Sequence, residues 1–140
     1  MWIYVQRTGE LWQDGQRIAI GYAGWDDGDG LTETGEGKNL PGAEAIKNVG
    51  PLPIGRYHIC PPENHPRLGP GAMFLEPFPD NDMHGRGDFF MHLDSRLNPG
   101  AGSHGCIVLP PAALALVGVS MDRILDVVAE APPATPEGIA

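Results

Sequence analysis

A chain of 140 residues, 41% of them hydrophobic, is long enough to bury one sizeable core without metals or disulfides. Its formal charge of -9 argues against partners that demand a positive footprint, which removes nucleic acid phosphates and anionic lipid surfaces. Glycine and proline make up a quarter of the residues, so many turns between short strands are predicted in place of long helices.

Trp2–Arg7 alternates apolar and polar residues and stops at Thr8-Gly9, a turn dipeptide. Glu10–Gln13 follows, then the hairpin dipeptide Asp14-Gly15 and Gln16–Ala23, so a three-stranded meander is predicted. Gly24–Gly50 is rich in Gly, Asp, Glu and Asn and lacks periodicity. It reads as a long surface loop, a lid or a substrate rim, with a helical turn at Pro41–Lys47.

Pro51-Leu52-Pro53 is a rigid turn that feeds an alternating strand over Arg56–Cys60. Met73–Phe78 and Asp88–Leu93 are two more strands, split by the polar turn Asp80-Asn81-Asp82. Asp94–Gly102 is a turn-rich connection, and Cys106–Leu109 is a short apolar strand. Pro110-Pro111 opens a helix over Ala112–Val117, and Arg123–Ala129 is the last strand.

The expected architecture is one domain over residues 1–130, mainly β and sandwich- or barrel-like, with one or two short helices. Residues 131–140 read as a Pro-rich flexible tail. Met1–Val5 lacks a basic segment followed by an apolar one, so no secretion signal is expected. No apolar run approaches the roughly 20 residues that span a bilayer. A monomer is expected.

Two cysteines allow at most one disulfide and are no framework. Cys60 ends an alternating run and reads as a strand residue without chemistry. Cys106 differs, because it lies in Ser103-His104-Gly105-Cys106-Ile107 with His92 ending the strand before it. If those strands lie side by side, His92 can take the Cys106 proton or hold a thiolate–imidazolium pair. Gly105 allows a tight turn behind the sulfur, and the N–H groups of Gly105 and Cys106 are candidate oxyanion donors. Ser103 and His104 would orient that loop or touch substrate.

These residues resemble the L,D-transpeptidase catalytic domain (YkuD-type). The resemblance is carried by Ser103-His104-Gly105-Cys106-Ile107, by the upstream histidine in Phe89-Phe90-Met91-His92, and by Gly50-Pro51-Leu52-Pro53-Ile54-Gly55-Arg56-Tyr57. With Arg86-Gly87-Asp88 added, the set is similar to a compact subgroup that includes type VI secretion effectors acting on peptidoglycan. The specific motifs cover residues 50–110.

The resemblance implies an L,D-transpeptidase-like mainly β domain that needs no cofactor. Its Cys106 nucleophile would attack the L,D-amide of a stem tetrapeptide, with His92 as base. Release of D-alanine would leave an acyl-enzyme, which an amine or water then resolves by cross-linking, exchange or carboxypeptidase activity. Ser103, His104 and Gly105 would shape the oxyanion loop, and Arg86 and Asp88 would hold charged substrate termini. Export by a secretion machine, action in a target cell's periplasm and a neutralising immunity partner are also implied. Many members carry arginine two residues after the cysteine, where this chain has Val108. That task would pass to Arg86 or Arg96, or is not needed here.

Three other readings use the same residues differently. Another cysteine peptidase would employ the same Cys106–His92 pair. A zinc amidase or peptidase would need His84, His92 and His104, whose spacings match no helical ligand motif. A non-catalytic wall-binding module of a phage or secretion apparatus would not need the pair at all.

Overall fold

A computed structural model describes residues 1–26 and 37–131 of the chain. The middle of the predicted Gly24–Gly50 loop, residues 27–36, and the predicted tail from residue 132 onward lie outside the described residues. The predicted meander forms as β1 (Trp2–Val5), β2 (Glu10–Gln13) and β3 (Gln16–Ile20), paired antiparallel in turn. Asp14 and Gly15 both take left-handed conformations (φ 50° and 82°), as a two-residue hairpin turn requires.

The strand predicted over Gln16–Ala23 breaks at Gly21. Beyond it, β4 (Tyr22–Ala23) pairs with a different part of the sheet. A Cβ on Gly21 would lie 2.0 Å from the Val108 carbonyl oxygen, so only glycine lets the chain pass there.

The remaining strands are β5 (Gly55–Ile59), β6 (Glu63–His65), β7 (Gly69–Pro77), β8 (Phe90–His92), β9 (Ile107–Val108) and β10 (Ile124–Val128). Among the described residues the strand order is β3-β2-β1-β10-β5-β7-β8-β9-β4, with β6 paired to β7 off this path. The two end strands, β3 and β4, are consecutive in the chain and separated by Gly21 alone. The sheet therefore curls until its ends meet, which gives a nearly closed, barrel-like fold.

Among the described residues one α-helix forms, α1 (Pro111–Val119), which starts on proline as predicted and buries Ala113, Leu114 and Val117. The predicted turn at residues 41–47 is a short 3-10 helix, Pro41–Ala43. The chain is thus mainly β with a short α-helix. Among the described residues no helix is long and apolar enough to cross a membrane.

Trp2, Tyr4, Leu11, Leu52, Tyr57, Ile59, Met73, Leu75, Met91, Ile107 and Leu125 are fully buried in one cluster. Full burial of each aliphatic side chain there contributes about 1.5–3 kcal/mol relative to exposure. Strand alternation divides β7, β8 and β9 into two faces. Met73, Met91 and Ile107 point into the core, while Phe74 and Phe90 stand half-exposed on the other face. That second face carries the candidate site.

Candidate active site

Strands β8 and β9 run parallel, with Met91 opposite Ile107 and His92 opposite Val108. The same register places Cys106, one residue before β9, beside Phe90. The Phe90 N–H donates to Cys106 Sγ at 3.4 Å, and the thiol faces the Asp88 carbonyl at 3.8 Å. His92 is two residues from Phe90 and so shares its face of the sheet. Cys106 and His92 are therefore diagonal neighbours across adjacent strands. No sulfur–imidazole hydrogen bond joins them, a contact that commonly tightens only with substrate in place.

The His92 ring is held in one orientation. Its Nδ1 lies 2.7 Å from the Leu93 carbonyl oxygen, which can only accept, so Nδ1 carries the proton. Nε2 is then the basic nitrogen. Burial, the largest influence, holds His92 below the ordinary imidazole value, only partly offset by the Leu93 hydrogen bond and by Asp94. Burial likewise pushes the Cys106 thiol up, against the lowering effects of the Phe90 N–H, Arg67 and Arg86. Both shifts favour a neutral thiol beside a neutral imidazole. Of the two arrangements predicted, proton transfer to His92 during attack fits better than a resting ion pair.

The turn before Cys106 is organised by one hydroxyl. Ser103 Oγ donates to the Cys106 carbonyl at 2.6 Å and accepts from the Gly24 and Gly105 N–H groups, each at 3.0 Å. A hydroxyl has one proton and two lone pairs, so Ser103 is saturated. This corrects one expectation: the Gly105 N–H is engaged and is no oxyanion donor. The Cys106 N–H bonds to no described residue and stays a candidate for that role.

Gly105 sits at φ 144°, and a Cβ there would lie 2.7 Å from both Arg86 Nη2 and the Phe89 ring. His104 stacks on Trp25 with ring centroids 4.7 Å apart, and its Nδ1 meets the Asn48 carbonyl at 3.1 Å. It ties the turn to the loop below.

Arg86 has a different task from the one predicted. Its guanidinium donates to the carbonyls of Glu44, Gly50, Pro51 and His104 and lies over the Phe89 ring. Its Nη1 and Nη2 donors are taken up by four backbone acceptors. It braces the Ser103–Cys106 turn against residues 44–51. Asp88 stays exposed at the rim in a left-handed conformation (φ 61°) that aims its carbonyl toward the sulfur.

Arg96 lines a cleft of about 460 Å³ with Tyr22, Leu93, Asp94 and Val108. That cleft lies at the opposite end of the β8–β9 pair from Cys106. Tyr22 donates to Asp94 at 2.6 Å and accepts from the Gly102 N–H at 2.7 Å, which pins the connection between the two strands.

Sequence reasoning missed the neighbours on the outer side. His65 of β6 packs edge-on against Phe90 at 5.0 Å, and Phe90 meets Phe74 at 5.3 Å. The signal was present in part, since Phe74 and Phe90 alternate with core methionines.

Among the described residues no group of three or more His, Cys, Asp or Glu side chains is placed to hold a metal ion. His84 pairs with Glu44 at 3.1 Å, His92 meets the Leu93 carbonyl and His104 the Asn48 carbonyl, so the three histidines of the zinc reading each have a different partner. Cys60 and Cys106 are both free thiols. Comparison with protein-family models gives no match, and comparison with curated proteins gives none either.

Proposed function

We propose that this protein is a cysteine-dependent acyltransferase acting on peptidoglycan stem tetrapeptides, by L,D-transpeptidation, L,D-carboxypeptidation or both. The observation that carries the chemistry is the contact of His92 Nδ1 with the Leu93 carbonyl oxygen at 2.7 Å. Nδ1 is committed to Leu93, so Nε2 is free to take a proton on the face of the sheet that carries Cys106. The substrate class comes from the resemblance of residues 50–110 to the L,D-transpeptidase catalytic domain.

His92 Nε2 removes the Sγ proton as the sulfur attacks the amide carbonyl carbon. The oxygen's negative charge develops toward the Cys106 N–H, a donor of the kind worth about 2.7–4 kcal/mol. The imidazolium then protonates the departing D-alanine nitrogen, and the C–N bond breaks to leave a thioester. An incoming amine or water gives its proton to His92 as it attacks the thioester carbon, the C–S bond breaks, and the imidazolium returns that proton to Sγ to restore the thiol. On the same resemblance, the protein serves as an antibacterial effector exported into a competitor's periplasm and neutralised at home by an immunity protein.

The test is mass spectrometry of disaccharide-tetrapeptide incubated with the protein, with and without D-methionine. Loss of terminal D-alanine, or its exchange for D-methionine, is expected and should vanish in Cys106→Ala and His92→Ala. Cleavage at another bond of the stem would replace this reading with a different cysteine peptidase. Unchanged substrate together with a Cys106 inert to thiol probes would leave only a binding module.

A further inference from the structure

We propose that Arg67, at the tip between β6 and β7, is a specificity-determining residue that holds an anionic group of the substrate beside the Cys106 thiol. The inference deepens the acyl-transfer reading and rests on it. The tip is built to a fixed geometry. His65 Nδ1 accepts both the Arg67 and the Leu68 N–H, each at 3.1 Å, which closes the turn. The same His65 ring stands edge-on to Phe90 with centroids 5.0 Å apart, and the Phe90 N–H reaches Cys106 Sγ at 3.4 Å. Two contacts thus tie the turn that carries Arg67 to the nucleophile.

The guanidinium itself is uncommitted. Arg67 is exposed, and its side chain donates to no described residue and pairs with no described carboxylate. Its charge nevertheless acts on Cys106, in the direction that favours the thiolate. Such a placement runs against the composition, which has 18 acidic residues for 9 Lys and Arg. The other cation that acts on Cys106, Arg86, is bound to four backbone carbonyls. A planar, free guanidinium is suited to a two-point grip on a carboxylate. The substrate it fits is a peptide with a carboxylate close to the amide under attack, the half-exposed rings of Phe74 and Phe90 lying alongside.

Alkylation of Cys106 tests this without any peptide. Rates with iodoacetate, an anion, and iodoacetamide, its neutral counterpart, are read from the Cys106 peptide by mass spectrometry at low salt. The comparison covers the wild-type chain, Arg67→Ala, Arg67→Lys and Arg67→Glu, with circular dichroism checking that each is folded. The iodoacetate-to-iodoacetamide ratio should drop about 5- to 10-fold in Arg67→Ala and further in Arg67→Glu, with Arg67→Lys between. Dividing by the neutral reagent cancels any change in thiolate fraction. An unchanged ratio in both Arg67→Ala and Arg67→Glu overturns the proposal.

With tetrapeptide, Arg67→Ala should raise KM about 10-fold and leave kcat within about 2-fold of wild type. Wild-type turnover with an unaltered KM in that variant also overturns it. If the wild type turns over no tetrapeptide, the acyl-transfer reading fails instead, while the alkylation ratio still decides whether Arg67 draws anions to Cys106.

Discussion

The Ser103 hydroxyl donates to the backbone carbonyl of Cys106 at 2.6 Å while accepting the N–H groups of Gly24 and Gly105. One buried side chain therefore sets the backbone of Cys106 and joins it to the segment after β4. Ser103→Ala leaves two donors and one acceptor unmatched, and a buried group without its partner costs about 1–3 kcal/mol. A loss of about that size is expected in urea denaturation, together with a fall in turnover larger than the change in KM.

Gly105→Ala should be worse. The added methyl would press on Arg86 Nη2 and the Phe89 ring at 2.7 Å, at a φ that L-residues avoid. A destabilisation of at least about 2 kcal/mol is expected by thermal melting. Activity at low temperature should also be lost, because relief of the clash moves the turn that carries Cys106.

Arg86→Lys separates a brace from a substrate-binding residue. An ammonium cannot reach four carbonyls spread over Glu44, Gly50, Pro51 and His104 as a fork does. Stability should fall by about 1–3 kcal/mol. A variant with wild-type stability and only a raised KM would return Arg86 to the role suggested by its position in the sequence.

Burial of His92 makes stability depend on pH. Its folded value lies below the ordinary 6.5, so the unfolded chain binds the proton more readily. The contribution is therefore present above about pH 6.5 and is lost as the pH falls toward the folded value. Urea midpoints measured from pH 7.5 down to 5 should decline for the wild type and decline less for His92→Gln. Equal slopes would place the pH dependence elsewhere.

The thiol gives a companion test. Because burial pushes Cys106 up, its alkylation by iodoacetamide should rise with pH along a curve whose midpoint lies above that of an ordinary thiol. A midpoint well below neutrality would signify a resting ion pair with His92.

A meeting of Cys106 and His92 was legible only on condition that their strands lie side by side, and the parallel pairing of β8 with β9 meets that condition. The turn at Asp14-Gly15 and the proline start of α1 were directly legible, because each depends on local backbone preferences. The task of Arg86 was not. Its acceptors are carbonyls far away along the chain, and carbonyls leave no mark in a sequence. The β6–β7 hairpin escaped for another reason, since Glu63-Asn64-His65 shows no apolar alternation. Gly105 was correctly singled out for its freedom to turn, yet the occupation of its N–H by Ser103 needed coordinates.

The parallel pairing of Trp2 with Leu125 and of Val5 with Val128 sets the timing of folding. β1 holds the meander and β10 joins it to β5, while at the other end of the sheet β3 runs through Gly21 into β4. A chain still being synthesised cannot close the sheet until residue 128 is free, so the loop-closure entropy falls due late. Folding on the millisecond-to-second scale of other proteins dominated by distant contacts follows. Until then the half-sheet bearing Cys106 lacks the closed scaffold that positions it, so the thiol reaches its final setting only after the last strand is made.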